Sequence, residues 1–125
     1  MEKILVVDDE MYNRILLEEI LTDISDEYEI ISAESGEAAF EAIMNERPSM
    51  VFLDLILPDI DGMKVVEKTR SKDEVRDTKF IITTGYAPCE LLPSVQSCTD
   101  AILFKPFQQR KVAQILNNLS RGNSN

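Results

Sequence analysis

Histidine is absent from this chain of 125 residues, and cysteine is rare, with only two residues. A chain without histidine cannot build a Ser-His or Cys-His nucleophile pair, and it cannot carry a phosphoryl group on an imidazole of its own. Cys89 and Cys98 form neither a CxxC pair nor a spacing typical of zinc ligands. We therefore interpret both cysteines as small, reduced core residues.

Positive charge and long apolar runs are also scarce. The chain has 13 Lys and Arg residues against 23 Asp and Glu residues, which gives a net charge of −10. Nucleic acids and anionic membranes bind positively charged surfaces, so we expect direct contact with neither. The apolar run at residues 4–7 is too short for a signal peptide, and no stretch is long enough to span a membrane. The sequence therefore predicts a cytoplasmic protein.

Short apolar runs alternate with segments of helical periodicity along the whole chain. Continuous apolar strands that alternate with helices are typical of a parallel sheet covered on both faces. The sequence thus predicts a single doubly wound (βα)5 flavodoxin-like α/β domain over residues 1–120, with strand order 2-1-3-4-5 and a polar tail or truncated linker at 121–125. The predicted strands are Ile4–Val7, Tyr28–Ala33, Met50–Leu57, Phe80–Thr84 and Ala101–Phe104.

Capping residues and prolines refine the helices of this prediction. Ser35 and Gly36 open the second helix, and Asp61 is expected to be the N-cap of the third. The segment between the fourth and fifth strands contains Pro88 and Pro93. A helix in that segment is therefore predicted to be short, late-starting or bent.

In open α/β sheets ligands bind at the carboxyl ends of the strands, and polar residues of this chain lie at those ends or, as Asp54 does, inside the third predicted strand. Asp54 is the most informative of them, because an ionised carboxylate within an apolar run is costly unless it is paired. A strand-end aspartate can also cap the following turn, but Pro58 and Asp61 already supply that turn. The other candidates are Asp8 and Asp9 after the first strand, Thr84 at the end of the fourth and Lys105 after the fifth.

Each of these signals is weak when it is taken alone. Asp8 and Asp9 are compatible with capping of the first helix, Lys105 with a side chain that reaches solvent, and Thr84 with simple strand propensity. In the predicted strand order, however, the first and third strands are neighbours, so three carboxylates would crowd one corner. Bound Mg²⁺ would resolve that repulsion through oxygen ligands. Together the residues suit phosphoryl transfer to Asp54.

Four stretches of the chain resemble the receiver domain of two-component response regulators. They follow the order and the spacing of that family and extend over nearly the whole sequence. The stretches are residues 4–10, Asp54 with Pro58 and Asp61-Gly62, Thr84-Gly85-Tyr86-Ala87, and Lys105-Pro106-Phe107.

The resemblance implies a role for each candidate residue. Asp54 is the expected phosphoacceptor, which receives a phosphoryl group from a phosphohistidine of a partner protein. Thr84 is the expected switch hydroxyl, and Lys105 is the expected partner of the phosphoryl group. Mg²⁺ is the expected cofactor, with Asp8, Asp9, Asp54 and the backbone carbonyl of Ile56 as its ligands.

The resemblance also implies partners and a cis peptide bond between Lys105 and Pro106. A histidine kinase or a histidine phosphotransfer protein would supply the phosphoryl group. An effector domain or a downstream protein would receive the signal, and phosphorylation could drive dimerisation. We expect no enzyme activity beyond Mg²⁺-dependent self-phosphorylation and slow self-dephosphorylation.

One residue departs from the family pattern, and two others bear on the lifetime of the phosphoryl group. The mobile aromatic residue of the family lies three positions before the lysine, where this chain has Ile102, so we expect no coupling of Thr84 to an aromatic side chain. Ile56 and Tyr86 occupy the positions that flank the path of the hydrolytic water in the family. Because Ile56 cannot orient a water molecule and Tyr86 is bulky, we predict slow self-dephosphorylation.

Two other functions fit the sequence less well. A Mg²⁺-dependent phosphohydrolase resembling the haloacid dehalogenases would need an aspartate two residues after the nucleophile, where this chain has Ile56. A nucleotide- or flavin-binding module would be expected to carry a glycine-rich phosphate-binding motif, and neither GxGxxG nor GxxxxGK[ST] occurs.

Overall fold

The computed structural model of the chain describes residues 2–85 and 92–120. All pairings in its five-stranded sheet are parallel, and the strand order is β2-β1-β3-β4-β5. This confirms the predicted flavodoxin-like α/β fold. The elements are β1 (Glu2–Val7), α1 (Met11–Ile24), β2 (Tyr28–Ala33), α2 (Gly36–Glu46), β3 (Met50–Asp54), α3 (Gly62–Arg70), β4 (Lys79–Thr84), α4 (Leu92–Cys98), β5 (Ala101–Phe104) and α5 (Gln109–Ser120).

Both faces of the sheet are buried, which is why the strands are continuous apolar runs. Successive strand residues point to opposite faces, so each central strand contributes to two separate hydrophobic clusters. Leu53 and Ile82 pack with Val66 of α3 on one face, whereas Phe52 and Ile81 lie in the cluster of the other face. That second cluster contains Leu17, Ile20 and Leu21 of α1 and Val112 and Leu116 of α5.

Helix starts agree with the capping signals of the sequence. Ser35 is the N-cap of α2, and its hydroxyl accepts a hydrogen bond from the Ala38 N–H at 3.1 Å. Asp61 is the N-cap of α3, and its carboxylate accepts the Met63 N–H at 2.9 Å. Both local caps therefore form as predicted.

The prediction that the third strand continues to Leu57 is wrong, because β3 ends at Asp54. The chain turns back there: Gly62 N–H donates to the Leu55 carbonyl at 3.0 Å, and Ile56 forms an isolated antiparallel bridge with Asp61. A Cβ atom at Gly62 would lie 2.5 Å from the Asp54 carbonyl oxygen, so this turn needs glycine. Residues 55 and 57 still pack against the core, which explains the misleading apolar pattern.

Several smaller predictions concern the segment around α4. Pro93 lies within α4, whereas Pro88, Tyr86 and Cys89 fall outside the described residues, as does the tail at 121–125. Cys98 is a free, exposed thiol at the end of α4, so the prediction of a core position for it is wrong.

In the described ranges we find no helix with both the length and the apolar character needed to cross a membrane.

Candidate functional site

Three carboxylates meet at the carboxyl edge of the sheet, where β1 and β3 lie side by side. The register pairs Val7 with Leu53, so the residues that follow them, Asp8 and Asp54, are neighbours. Asp8 and Asp54 are buried, at 2% and 7% exposure, whereas Asp9 is exposed. Each of the three offers a carboxylate oxygen, and these oxygens all lie within 4.8 Å of one another. The structure thus brings together the predicted metal-binding side chains.

Lys105 enters this cluster from the end of β5. Its ammonium lies 3.0 Å from Oδ2 of Asp8 and 3.1 Å from Oδ2 of Asp54. Its backbone N–H donates to the Thr84 carbonyl at 2.8 Å, and the Lys105-Pro106 peptide bond is cis, as the resemblance implied. The side chain is 22% exposed and ends on two carboxylates, so it does not simply extend into solvent.

Burial and charge change the acidity of these groups. Burial raises the pKa of Asp54, the Ile56 N–H and Lys105 partly oppose that rise, and the charge of Asp8 adds to it. Burial lowers the pKa of Lys105, but its interactions with Asp8 and Asp54 outweigh burial and raise the pKa above the usual value. The ammonium therefore stays charged between two carboxylates.

The two carboxylate oxygens of Asp8 have different partners among the described residues. Oδ1 of Asp8 accepts the Glu10 N–H at 2.9 Å, whereas Oδ2 is buried and forms an ion pair with the Lys105 ammonium at 3.0 Å. An ionised carboxylate oxygen offers more than one lone pair, so Oδ2 can accept a further ligand beside Lys105. A set of carboxylate oxygens suits a hard cation such as Mg²⁺. The residues present therefore fit the expected metal.

Ile56 lies beside the cluster on the loop that follows β3. Its N–H donates to Oδ1 of Asp54 at 3.1 Å, which brings the Ile56 backbone next to that carboxylate. Its side chain is 68% exposed. The predicted contribution of the Ile56 carbonyl to a metal site is thus compatible with the position of the Ile56 backbone beside Asp54.

Arg14 is a residue of the site that sequence reasoning did not find. Its Nη1 donates to the Asp8 carbonyl oxygen at 2.8 Å from the first turns of α1. Asp8 is also held by its own N–H, which donates to the Ala33 carbonyl at 3.2 Å. These two bonds fix the backbone that carries the acidic pair. The partner of Arg14 is a backbone carbonyl, which every residue type carries, so the sequence does not reveal the contact. Only the position of Arg14 shortly after two acidic residues could have indicated its role.

Two adjacent threonines end β4, and the strand register gives them different partners. Thr83 is the paired residue of Asp54, whereas Thr84 is paired with Phe104, one step nearer the edge where Lys105 lies. Both threonines are buried, at 1% and 4% exposure. Thr84 thus lies between the acidic cluster and the end of β5, and its role as the switch hydroxyl stays a prediction.

The strand next to Thr84, β5, also differs from the family pattern. Ile102 is partly buried against the core, so no aromatic side chain is available at that position. The aromatic residue of β5 is Phe104, which is 52% exposed at the end of the strand. The other position expected to influence the site, Tyr86, lies outside the described residues.

Comparisons with known proteins identify the family of the chain. The model of the response regulator receiver domain matches residues 4–117. The chain is 34% identical to sporulation initiation phosphotransferase F of Bacillus subtilis over 107 residues, 85% of this chain and 83% of that protein. It is also 34% identical to the probable transcriptional regulator ycf27 of Pyropia yezoensis over 120 residues, 96% of this chain but 48% of that protein.

A solved structure supports the fold independently of sequence. The signal receiver domain of a DNA-binding response regulator from Colwellia psychrerythraea 34H superposes with a TM-score of 0.88, over 97% of this chain and 99% of that one. Its sequence identity is 18%, so this likeness concerns the fold alone. The chain spans about half the length of several curated relatives that it matches. From the family match and the 34% identical relative of similar length, we conclude that the chain belongs to the response regulator receiver domain family.

Proposed function

We propose that this receiver domain accepts a phosphoryl group on Asp54 from a phosphohistidine of a partner protein, with Mg²⁺ as cofactor. The observation that carries the proposal is the shared ammonium of Lys105, 3.0 Å from Asp8 and 3.1 Å from Asp54, beside three carboxylates whose oxygens lie within 4.8 Å of one another. A cation between two carboxylates reduces the repulsion that an incoming phosphoryl group would meet.

The reaction requires one bond to form and one to break. A carboxylate oxygen of Asp54 attacks phosphorus, the P–N bond of the phosphohistidine breaks, and its electron pair returns to the imidazole of the donor. When bound by Asp8, Asp9, Asp54 and the Ile56 carbonyl, Mg²⁺ would neutralise charge on the phosphoryl oxygens. Lys105 would exchange its contact with Asp54 for one with the new phosphoryl group.

Switching would follow from contacts that exist only after phosphorylation. The Thr84 hydroxyl would donate to a phosphoryl oxygen, and this would pull the end of β4 toward Asp54. Because the Thr84 carbonyl accepts the Lys105 N–H, the ends of β4 and β5 would respond together. We propose that this surface transmits the signal to an effector domain or a downstream protein, or to a second copy through a phosphorylation-dependent dimer.

The same residues argue against a separate catalytic function. Ile56, at the acid/base position of aspartate-dependent phosphohydrolases, has an exposed apolar side chain that cannot transfer a proton. We therefore propose a cytoplasmic signalling domain whose own activity is limited to Mg²⁺-dependent self-phosphorylation and slow self-dephosphorylation. Its phosphodonor would be a histidine kinase or a histidine phosphotransfer protein.

Mass spectrometry of the intact protein tests the proposal. After incubation with Mg²⁺ and acetyl phosphate, the protein should gain the mass of one phosphoryl group. Asp54→Asn should abolish that gain, whereas Asp73→Asn, which changes a carboxylate with 92% exposure outside the cluster, should not. A phosphate adduct that persists in Asp54→Asn, or no adduct in any protein, would refute the proposal.

A further inference from the structure

The loop at residues 55–61 joins the phosphoacceptor strand to α3 and is anchored to Asp54 at its first turn. Ile56 N–H donates to Asp54 Oδ1 at 3.1 Å, and Gly62 N–H closes the loop on the Leu55 carbonyl at 3.0 Å. These bonds fix the two ends of the loop. Between these ends, Ile60 packs against the hydrophobic core, and residue 59 contacts another element.

Asp59 provides that contact. Its Oδ1 accepts the Gly36 N–H at 2.8 Å, and its Oδ2 accepts the Glu37 N–H at 2.9 Å. Both donors belong to the first turn of α2, and the Ile60 N–H adds a third bond to Oδ1 at 2.9 Å. Charge-assisted bonds at a helix N-terminus are stronger than neutral ones. One carboxylate therefore joins the loop after β3 to the helix after β2.

The N-terminus of α2 uses two different caps. The Ser35 hydroxyl and carbonyl accept the N–H groups of the third and fourth residues, Ala38 and Ala39. Asp59 accepts those of the first two, Gly36 and Glu37. The Ser35 cap is local to the helix, whereas the Asp59 cap crosses to a distant loop.

Gly36 supports the same contact by shape. A Cβ atom at this position would collide with the side chain of Ile60 and would lie 3.3 Å from Oδ1 of Asp59. The missing side chain lets the loop lie directly on the helix end. The three backbone donors, of which Glu37 contributes most and Gly36 next, also lower the pKa of Asp59 and keep it ionised.

We propose that Asp59 is a positioning residue for the metal site: by fastening the loop to α2, it holds the Ile56 backbone beside Asp54 before a cation binds. This inference rests on the proposed Mg²⁺-dependent function. Residues that orient a metal-binding group without touching the metal commonly change its affinity by 10- to 100-fold. Because Ile56 is three positions from Asp59, we expect the lower end of that range.

Isothermal titration calorimetry with Mg²⁺ alone tests this role without any phosphorylation. The wild type, Asp59→Ala, Asp59→Asn and Ser35→Ala would be compared at one pH and one ionic strength. Asp59→Ala should weaken Mg²⁺ binding by roughly tenfold. Ser35→Ala is the matched control, because it removes a cap from the same helix end but leaves the loop attached.

Asp59→Asn separates position from charge. Like Asp59→Ala, this substitution removes the negative charge, but it keeps one oxygen that can accept the Gly36 N–H. It should therefore bind Mg²⁺ more tightly than Asp59→Ala. Equal weakening in both variants would assign the effect to charge, and equal weakening in Ser35→Ala would assign it to general helix stability. Either result, or unchanged affinity in Asp59→Ala, would overturn the proposal.

The wild-type titration distinguishes a failure of the proposed Mg²⁺ cofactor from a failure of the positioning role of Asp59. If the wild type binds no Mg²⁺, the proposed cofactor fails and takes the role of Asp59 with it. If the wild type binds Mg²⁺ and Asp59→Ala binds it equally well, only the positioning role fails. Circular dichroism of each variant verifies that the helices are intact before its affinity is compared.

Discussion

Asp54 and Asp59 lie five positions apart in the chain, yet their carboxylates experience opposite environments. Burial raises the pKa of Asp54, whereas backbone N–H donors, first of all that of Glu37, lower the pKa of Asp59. Ionisation thus costs stability at Asp54 and provides it at Asp59. The difference agrees with the proposal that Asp54, and not Asp59, takes the ligand. A buried carboxylate whose charge is still costly gains more from a new cation than one that three backbone N–H groups already hold.

Addition of Mg²⁺ should produce the largest change in stability. A ligand that binds only the folded state stabilises it by about 2.7 kcal/mol at a concentration 100 times its dissociation constant. The gain should appear in urea unfolding of the wild type and should fall in Asp9→Asn, which loses a carboxylate oxygen of the cluster. NaCl at the same ionic strength serves as the control, because it screens charge without specific binding. Equal stabilisation by NaCl would contradict a metal site at Asp54.

Ile56, which lies between the two aspartates, should control how long the phosphoryl group persists. Its exposed apolar side chain cannot orient a water molecule, so we expect Ile56→Gln to accelerate dephosphorylation about tenfold. The rate would be measured by the decay of the phosphorylated mass after acetyl phosphate is removed. Ile56→Leu is the control and should keep the wild-type rate. A wild-type half-life of seconds would contradict the prediction that Ile56 slows hydrolysis.

Substitution of the two aspartates should shift stability in opposite directions. In metal-free buffer, Asp54→Asn should stabilise the fold by about 1 kcal/mol, because it removes a buried charge while Lys105 keeps Asp8 as its partner. Asp59→Asn should destabilise it, because an amide cannot accept all three backbone N–H groups as an ionised carboxylate does. Urea midpoints at pH 7 would measure both. Shifts of the same sign would contradict the opposite environments of the two carboxylates.

The acidic cluster could be predicted from the sequence, whereas the loop contact could not. Asp8 follows β1 and Asp54 ends the adjacent β3, and the strand order alone places them together. The end of β3 was misplaced because residues 55 and 57 remain apolar after the chain has turned. The bond from Asp59 to Gly36 joins residues 23 positions apart, and its donor is a backbone group with no sequence signature. Contacts of side chains with distant backbone depend on tertiary structure.

The dependence of stability on pH offers the finest test of the comparison. The folded-state pKa of Asp59 is lowered, so its bonds contribute fully above the unfolded-state pKa, near pH 4, and are lost as pH falls through the folded value. The stability difference between wild type and Asp59→Asn should therefore be constant from pH 7 to about pH 5 and shrink below about pH 4.

The same series of urea midpoints, measured with a chelator present, should show the opposite dependence of stability on pH for Asp54. Its folded-state pKa is raised, so the folded protein takes up that proton before the unfolded chain does, and the cost of its charge disappears as pH falls. The advantage of Asp54→Asn should accordingly begin to shrink at a higher pH than the defect of Asp59→Asn. If both differences changed over one pH range, the two carboxylates would share one environment, and the separation of a binding aspartate from a positioning aspartate would be wrong.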